Sequence, residues 1–340
     1  MDLAALNQIA ERMVTPGKGL LAADESQGTI QKRFDAIAAE CTEASRRDYR
    51  ELLFRTTEAM RTCISGVILF EETLYQDAAD GTPLVKLVEA AGAVPGIKVD
   101  KGTRPLAGFP GETITEGLDG LSARLAKDYE RGARFAKWRG VIDIADGIPT
   151  AGAVKANAHA LARYAAACQA AQIVPIVEPE VLMDGAHDIA RCDDVTRYVL
   201  KVVFEELFEQ RVALEGMVLK PNMVVCGKKC GSQTSVDEVA HRTIGVLKAS
   251  APAAVPGIAF LSGGQSDEEA TAHLDAMNRI GGVPWKLTFS YGRALQAAPL
   301  KAWSGKRENL AAAQRAFAHR ARMNSLASLG QWEGALERAA

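Results

Sequence analysis

The sequence predicts a (β/α)8 TIM barrel with an extra N-terminal helix and a C-terminal helix and tail. Eight short apolar runs recur along the 340 residues, separated by longer stretches with helical periodicity. Eight alternations of strand and helix predict a parallel sheet, and this length favours a closed barrel over an open, doubly wound sheet. Charged residues at or near the ends of five runs favour a closed barrel, because an open sheet gathers its functional residues at one topological switch point.

The apolar runs give the predicted strands, in chain order. They are GLLAAD (19–24), VILFE (67–71), GIKVD (96–100), FAKWR (135–139), IVPIVEPE (173–180), GMVLKP (216–221), GIAFLSG (257–263) and KLTFSYG (286–292). The predicted helices between them include ASRRDYRELLFRTTEAM, GLSARLAKDYERG, ALARYAAACQAA, DDVTRYVLKVVFEELFEQ, SVDEVAHRTIGVLKA and SDEEATAHLDAMNRI.

The two ends of the sequence add helices outside the eight repeats. One is predicted over about residues 2–13, and a longer one from near Lys306 past Arg322. Residues 326–340 are predicted as a short tail. Because no linker, low-complexity tract or close sequence repeat interrupts the chain, we expect one domain over residues 1–340.

Charge and hydropathy exclude several classes of partner. The net charge is −2 with Lys and Arg dispersed, so the sequence shows no electrostatic footprint for nucleic acid or an anionic membrane. No apolar run approaches the ~20 residues that span a bilayer. The N-terminus lacks the regions of a signal peptide, and most of the six cysteines lie far apart. We therefore expect a cytoplasmic protein with reduced thiols that acts on small molecules.

A metal site is not expected from the cysteines or histidines. The five histidines are scattered, and no second Cys/His pair accompanies Cys226 and Cys230. A metal or redox role for these two cysteines is the alternative interpretation of their spacing.

Charged pairs within the predicted strands are the main functional signal. Three strands carry pairs spaced i, i+2: Lys98 and Asp100, Lys137 and Arg139, and Glu178 and Glu180. Because side chains alternate across a strand, each pair points to one face, and buried charge is costly unless it is paired or used. With Lys220 and Asp24 added, four cations face four anions. The pattern predicts one polar cluster assembled from several strands, as in an active site.

Lys220 is the predicted nucleophile of this cluster. It follows the apolar residues 217–219, and desolvation and neighbouring cations favour the neutral amine that can attack a carbonyl and form a Schiff base. The alternative is a strand-end lysine that extends to solvent. Its placement within the charged cluster favours the nucleophile.

The carboxylates are the predicted proton donors and acceptors. Imine formation expels water, so an acid must protonate the leaving hydroxyl. Two close carboxylates at Glu178 and Glu180 are expected to split their pKa values, which would leave one protonated near neutrality. Alternatively they are ion-pair partners of Lys137 and Arg139. Asp24 has its own alternative, because Asp24 and Gln27 have the spacing of a helix N-cap pair.

Two groups of residues have the character of phosphate sites. Ser262, Gly263 and Gly264 end the seventh run, and Gly292 and Arg293 end the eighth, where barrels of this class recurrently bind phosphate. A second group of anion donors is predicted across the mouth from Ser26, Thr29, Lys32, Arg33 and Lys98. Two such sites beside one lysine nucleophile imply a substrate phosphorylated at both ends.

A series of motifs in order resembles the class I fructose-1,6-bisphosphate aldolases. They are LLAADES, GVILFEETLYQ, GIKVDKG, PLAG, ETITEGLDGL, FAKWR, VPIVEPE, LKPNM, FLSGGQS, LTFSYGRALQ and KAWSGK with ENL after one residue. The resemblance covers about residues 2–330. It implies a metal-independent, cofactor-free lyase that reversibly cleaves fructose 1,6-bisphosphate to dihydroxyacetone phosphate and glyceraldehyde 3-phosphate, in glycolysis and gluconeogenesis. It also implies a homotetramer.

The resemblance assigns roles by position. Lys220 would form the imine, Glu178 would be the acid/base for imine formation and hydrolysis, and Asp24 with Glu178 would take the C4-hydroxyl proton. Lys137 would position the substrate, with Glu180, Arg139 and Lys98 around it. The phosphate on the dihydroxyacetone side would contact Ser262, Gly263, Ser290, Gly292 and Arg293, beside Gly264. The other phosphate would contact Ser26, Thr29, Arg33 and Lys98.

Two departures from the family pattern bear on function. Thr29 stands where the family commonly has Ser, and a hydroxyl donor remains. Animal members end in a Tyr used in proton transfer, whereas this sequence ends in GALERAA, so the group that protonates the enamine stays open. The preference between the bisphosphate and fructose 1-phosphate also stays open. The alternatives are another Schiff-base barrel aldolase, such as a transaldolase, and a non-catalytic scaffold.

Overall fold

The structure, a computed structural model, describes residues 1–232 and 234–338. The strands are β1 (Gly19–Ala23), β2 (Ile64–Leu69), β3 (Val94–Lys98), β4 (Thr103–Pro105), β5 (Thr113–Thr115), β6 (Phe135–Ile142), β7 (Val174–Val181), β8 (Val218–Leu219), β9 (Gly257–Phe260) and β10 (Lys286–Tyr291). The helices are α1 (Leu3–Met13), α2 (Gln27–Asp35), α3 (Glu43–Phe54), α4 (Thr57–Cys63), α5 (Glu71–Tyr75), α6 (Leu84–Ala90), α7 (Leu121–Glu130), α8 (Ala151–Ala170), α9 (Ile189–Glu209), α10 (Val236–Ser250), α11 (Asp267–Ile280), α12 (Arg293–Trp303) and α13 (Leu310–Ala327). Short 3-10 turns cover Leu214–Gly216, Arg307–Asn309 and Gly334–Arg338.

Eight parallel strands close into a barrel, as the sequence predicts. Around the barrel the order is β1, β10, β9, β8, β7, β6, β3, β2, and β1 pairs with both β10 and β2. Helices lie between the strands along the chain, and the N-terminal and C-terminal helices are both present. Strands β4 and β5 form a small antiparallel hairpin of their own. Among the described residues, no helix has the length and apolar character needed to cross a membrane.

Each predicted strand differs from the observed one at one end or both. The second predicted strand stops at Leu69, and Glu71 begins α5; Asp100 lies beyond the end of β3. Of the predicted 216–221 strand, only Val218–Leu219 forms β8: Gly216 closes a 3-10 turn before it, and Pro221 has no N–H to donate after it, although the Lys220 N–H still bonds to β7. An apolar run marks burial, whereas a strand also needs partners for its backbone groups.

The C-terminal region is helical further than the sequence predicts. Helix α13 begins at Leu310 and ends at Ala327, so residues 326–327 of the predicted 326–340 tail belong to it. The following segment contains the 3-10 turn Gly334–Arg338. Residues 339–340 of the predicted tail lie outside the described part of the chain.

The alternation of side chains in β6 separates the core from the barrel interior. Trp138 packs on Tyr164 of α8, with ring centroids 5.5 Å apart, in the layer between strands and helices. Its neighbours Lys137 and Arg139 project to the opposite face. There Lys137 pairs with Asp24, just after β1, and Arg139 pairs with Glu180 of β7. The predicted i, i+2 pairing of charges on one face is confirmed for these two residues.

Helix α1 closes the amino end of the barrel. A second apolar cluster joins this helix and the segment after it to residues from seven of the eight strands: Leu6, Ala10, Met13, Val14, Leu20, Ala22, Ile68, Val94, Phe135, Val174, Ile176, Val218 and Ala259. Asp2 caps the helix by accepting a hydrogen bond from the backbone N–H of Ala5. The polar cluster is therefore left at the opposite, carboxyl end of the strands.

Close packing across the strands requires a glycine at position 96. Gly96 pairs in register with Phe135, and the Phe135 ring occupies the space that a Cβ on Gly96 would take. A larger residue would force this buried ring to move.

Replacing Gly96 with Ala is expected to lower the free energy of unfolding by about 1–3 kcal/mol, because the added methyl overpacks the barrel against Phe135. Urea unfolding measures the loss. The double variant Gly96→Ala, Phe135→Leu should lose less than the sum of the two single changes, because the residues share one space.

Gly245→Ala is the matched control. Gly245 lies on the exposed face of α10 with open space where its Cβ would be, so Ala should leave the stability unchanged or slightly raised. Equal stabilities for the Gly96→Ala and Gly245→Ala variants would contradict the packing argument.

Candidate active site

Lys137 is the centre of the polar cluster inside the barrel. Its Nζ lies 2.7 Å from Oδ2 of Asp24 and 3.3 Å from Oε2 of Glu178. Asp24 follows β1, and Lys137 and Glu178 lie on β6 and β7, so the ion pairs join different parts of the barrel wall. Lys137 and Glu178 are buried, and Asp24 is nearly so.

Lys220 enters the same cluster from the end of β8. Its backbone N–H donates to the carbonyl of Val177 at 2.8 Å, which fixes the residue beside β7. The Nζ atom lies 3.1 Å from Oε1 of Glu178, and only 5% of the side chain is exposed. Glu178 therefore holds two amines, one on each carboxylate oxygen.

The buried ion pairs keep the two carboxylates charged. Burial alone would raise the pKa of Glu178, but Lys137, Lys220 and Arg139 outweigh burial and hold that pKa below its ordinary value. Asp24 follows the same balance, and its pKa lies well below the usual range because of Lys137, Lys220 and Lys98. Lys137 responds in the opposite direction: Asp24 and Glu178 overcome its burial and raise its pKa.

One expectation about these carboxylates is wrong. Glu178 is not a carboxyl group held protonated near neutrality, because it contacts both Lys137 and Lys220. Glu180 pairs with a different cation, Arg139. The strong local positive charge makes Glu178 a carboxylate in the free protein. The alternative interpretation as ion-pair partners of Lys137 and Arg139 is confirmed by these contacts.

Asp24 is free of a capping role. The N-cap of α2 is Ser26, and the Asp24 carboxylate points to Lys137. The intervening Glu25 is buried and anchors the loop: it pairs with Arg33 and Arg50, and its carboxylate accepts a 2.8 Å hydrogen bond from Gln296. These contacts fix the loop that carries Asp24.

The loops after β9 and β10 meet at the mouth of the barrel. Ser262 is buried, and Gly263 and Gly264 have positive φ values of 60° and 102°. Arg293 is exposed at the first position of α12, after Gly292. A carboxyl-end loop beside a helix N-terminus presents backbone N–H groups to an anion.

Ser290 has an unpaired hydroxyl in this region. Its side chain is 1% exposed, and its Oγ has no hydrogen-bond partner among the described residues. A buried hydroxyl without a partner costs free energy, which a bound ligand can recover.

The predicted second anion site is only partly assembled. The hydroxyls of Ser26 and Thr29 lie 3.1 Å apart at the start of α2, and Lys98 lies 3.5 Å from Asp100. Arg33 instead pairs with Glu25 and lies near Gly292. The structure thus places Arg33 towards the loop after β10, on the side of the other predicted phosphate site.

Sequence reasoning missed the residues that support the cluster from outside. Arg50 joins Glu25 to Glu72, and Arg46 pairs with Glu72 in turn. Lys228 lies beside Gly264. These residues come from helices and loops, where charge is ordinary, so no strand-end signal marks them in the sequence.

The cysteine pair shows no metal-like arrangement. Cys226 Sγ lies 2.6 Å from the Thr234 hydroxyl, and Cys230 Sγ lies 3.1 Å from the Ser232 hydroxyl. Within residues 1–232 and 234–338, no group of three or more Cys, His, Asp or Glu residues has a metal-binding arrangement.

The arrangement places an amine and a carboxylate close enough for a proton to pass between them. Transfer from the Lys220 ammonium to Glu178 across 3.1 Å would give a neutral amine and a carboxylic acid together. These are the nucleophile and the acid that imine formation requires. Lys137 stays paired with Asp24 and keeps that carboxylate charged.

Comparison with known proteins gives matches along almost the whole chain. The family model "Fructose-bisphosphate aldolase class-I" matches residues 5–340. A Xanthomonas campestris pv. campestris protein named "Probable fructose-bisphosphate aldolase class 1" is 55% identical over 335 residues, covering 98% of this chain and 100% of that protein. "Fructose-bisphosphate aldolase 4, cytosolic" of Arabidopsis thaliana is 56% identical over 321 residues, covering 94% of this chain and 81% of the relative.

A solved structure has the same fold throughout. The fructose-bisphosphate aldolase of Plasmodium falciparum, in a ternary complex with TRAP and a small-molecule inhibitor, superposes with a TM-score of 0.96. It is 49% identical in sequence, and the match covers 98% of this chain and 96% of that chain.

Replacing Lys137 with Met is expected to destabilise the protein by about 3–5 kcal/mol at neutral pH, because the change leaves two buried carboxylates without their shared cation. Both carboxylate pKa values should rise, so acid unfolding should begin at a higher pH. In the unmodified protein the pKa values of Asp24 and Glu178 are lowered from their ordinary values of 3.8 and 4.5. The two carboxylates therefore stabilise the folded protein fully at pH values above these ordinary pKa values, and this contribution is lost as the pH falls through the lowered pKa values. Urea unfolding at a series of pH values measures both effects.

Lys86→Met is the control for this loss. Lys86 pairs with Glu89 on an exposed helix face, 2.7 Å apart, so its replacement should change stability by less than about 1 kcal/mol. An acid midpoint in Lys137→Met equal to that of the unmodified protein would contradict the role of Lys137.

Proposed function

The chain belongs to the class I fructose-bisphosphate aldolase family, and we propose that Lys220 is the residue that forms its Schiff base. The protein is a lyase that reversibly cleaves fructose 1,6-bisphosphate to dihydroxyacetone phosphate and glyceraldehyde 3-phosphate, without a metal, as the family does. One observation carries the assignment to Lys220: its amine is buried at a strand end, 3.1 Å from a carboxylate.

Glu178 acts with Lys220 in forming the imine. After taking a proton from the amine, it donates that proton to the carbinolamine hydroxyl, which leaves as water. The reverse path hydrolyses the imine. The Glu178 carboxylate returns to the charged form when that proton leaves with the water, and the neighbouring Lys137 favours the charged form.

Asp24 acts at the C–C bond. The protonated imine withdraws electrons from the bond between C3 and C4, so cleavage gives an enamine on Lys220 and an aldehyde as the C4 hydroxyl loses its proton. Asp24, with Glu178, accepts that proton. Lys137 keeps Asp24 charged before the reaction, since it holds the pKa of that carboxyl well below its usual range.

The two ends of the substrate require two anion sites. Ser262, Gly263, Ser290, Gly292 and Arg293, beside Gly264, form the site for the phosphate on the dihydroxyacetone side. The unpaired hydroxyl of Ser290 and the helix start at Arg293 support this site. Ser26, Thr29 and Lys98 serve the other phosphate, while Arg33 pairs with Glu25 and lies beside Gly292, on the side of the first phosphate site. Arg139 and Glu180 border the cluster as an ion pair.

Family membership separates this enzyme from a transaldolase-like activity, and the buried acid–base cluster supports catalysis over a silent scaffold.

A cytoplasmic location is part of the proposal and is supported by the relative named as cytosolic. A homotetrameric assembly is proposed from family membership. Light scattering after gel filtration tests it, and a monomer mass would reject it.

Borohydride reduction in the presence of dihydroxyacetone phosphate should inactivate the enzyme and add the mass of the reduced adduct to the peptide that holds Lys220. Reduction traps the imine as a stable secondary amine, so peptide mass spectrometry gives its position. EDTA should leave both trapping and cleavage unchanged.

Two variants sharpen this test. Lys220→Met should show no trapping, whereas Lys98→Met should still be labelled at Lys220, because Lys98 contacts Asp100 and is not the proposed nucleophile. An adduct on Lys98 or Lys137 in the unmodified enzyme would overturn the assignment.

Replacing Arg293 with Ala should raise KM for fructose 1,6-bisphosphate by about 10- to 100-fold, because a charge-assisted contact to phosphate contributes about 1.5–3 kcal/mol. Steady-state cleavage measures KM. Imine trapping of unphosphorylated dihydroxyacetone should change little in this variant. Equal losses with the phosphorylated and unphosphorylated compounds would instead indicate that the site has collapsed.

A further inference from the structure

Two cationic side chains converge on Gly264 from different loops. A Cβ at this glycine would lie 2.5 Å from Nζ of Lys228 and 3.2 Å from Nη2 of Arg293. Lys228 lies in the loop after β8, and Arg293 begins α12 after β10. Two positive charges therefore lie beside Gly264, and a side chain at this position would collide with Lys228.

The backbone of the Lys228 loop is fixed against a neighbouring loop. Three consecutive N–H groups, those of Gly227, Lys228 and Lys229, donate to the carbonyls of His187, Met183 and Gly185, at 2.9, 2.7 and 2.9 Å. Gly227 lies so close to Gly185 that a Cβ would overlap the Gly185 carbonyl. Lys228 is thus presented by a positioned loop, although its side chain is partly exposed.

The positive charge at Gly264 is incompletely neutralised within the protein. Lys228 pairs with the exposed Asp184 at 2.8 Å, while Arg293 has no ion pair in the described part of the chain. Hydrogen bonding from Lys228 lowers the pKa of Asp184, and Arg293 adds to this effect. One carboxylate thus faces two cations, which leaves net positive charge for an anion.

We propose that Lys228 is a second cation of the phosphate site formed by the loops after β9 and β10, where it binds the substrate phosphate together with Arg293. The proposal rests on the assignment of that site under the proposed function. A phosphate near neutral pH carries more negative charge than a carboxylate and offers several acceptor oxygens. It therefore competes with Asp184 for Lys228 while also engaging Arg293.

Asp184 gives the site a resting partner for Lys228. In the free enzyme this carboxylate offsets part of the repulsion between Lys228 and Arg293. When the phosphate enters, Lys228 exchanges a single carboxylate for the more highly charged ligand. Because the side chains of Lys228 and Asp184 are 40% and 62% exposed, added salt should weaken the contact between Lys228 and the phosphate.

The experiment compares Lys228→Met with Lys229→Met. Titration calorimetry with dihydroxyacetone phosphate should show a Kd raised by about 3- to 10-fold in Lys228→Met, the range for a partly exposed contact between a cation and a phosphate. Lys229 is exposed in the same loop and is held through its backbone N–H, so its replacement should leave Kd unchanged. Lys228→Arg should retain most of the affinity, and added potassium chloride should narrow the difference between Lys228→Met and the unmodified enzyme.

Borohydride trapping with unphosphorylated dihydroxyacetone separates this proposal from the proposed function. Its rate should be the same in Lys228→Met and the unmodified enzyme, because the amine at Lys220 is intact. Equal Kd values for the Lys228→Met and Lys229→Met variants, or an equal loss with the unphosphorylated compound, would overturn the role of Lys228. Failure to trap Lys220 in the unmodified enzyme would refute the Schiff-base assignment instead.

Discussion

The buried ammonium of Lys137 between Asp24 and Glu178 is the interaction on which the candidate site depends. Without this cation, two carboxylates would lie desolvated inside the barrel, and one or both would take up a proton. With it, both stay charged and fixed. Glu178 is then held 3.1 Å from the Lys220 amine, and Lys137 is the first of the cations that keep this carboxylate charged.

The barrel brings the residues of this ion-pair cluster together from distant segments of the chain. Asp24, Lys137, Glu178 and Lys220 come from positions spread over almost 200 residues, yet parallel strands place their carboxyl ends at one rim. A further set of ion pairs around Glu25 and Glu72 fixes the loop after β1 from outside. Charged groups at the carboxyl ends of the strands, and supporting charges on helices and loops, thus form two connected layers.

The fold and the central residues could be predicted because they follow from periodicity. Eight apolar runs predict eight strands, and the i, i+2 spacing of Lys137 with Arg139 places both on the inner face. The protonation of Glu178 could not be predicted, since it depends on which cations lie within a few ångströms. Likewise, the placement of Arg33 and Lys228 depends on how loops meet, and neither position has a distinctive spacing in the sequence.

Helix α1 has a consequence for the order in which the chain can acquire its structure. It precedes all eight barrel strands in the sequence, but its apolar face belongs to a cluster that also contains Val218 and Ala259. These members of the cluster are therefore synthesised about 200 residues or more after the helix. Contacts of such long sequence separation form slowly and leave apolar surface exposed in the meantime. During that interval the exposed apolar face of α1 is a surface that chaperones can bind.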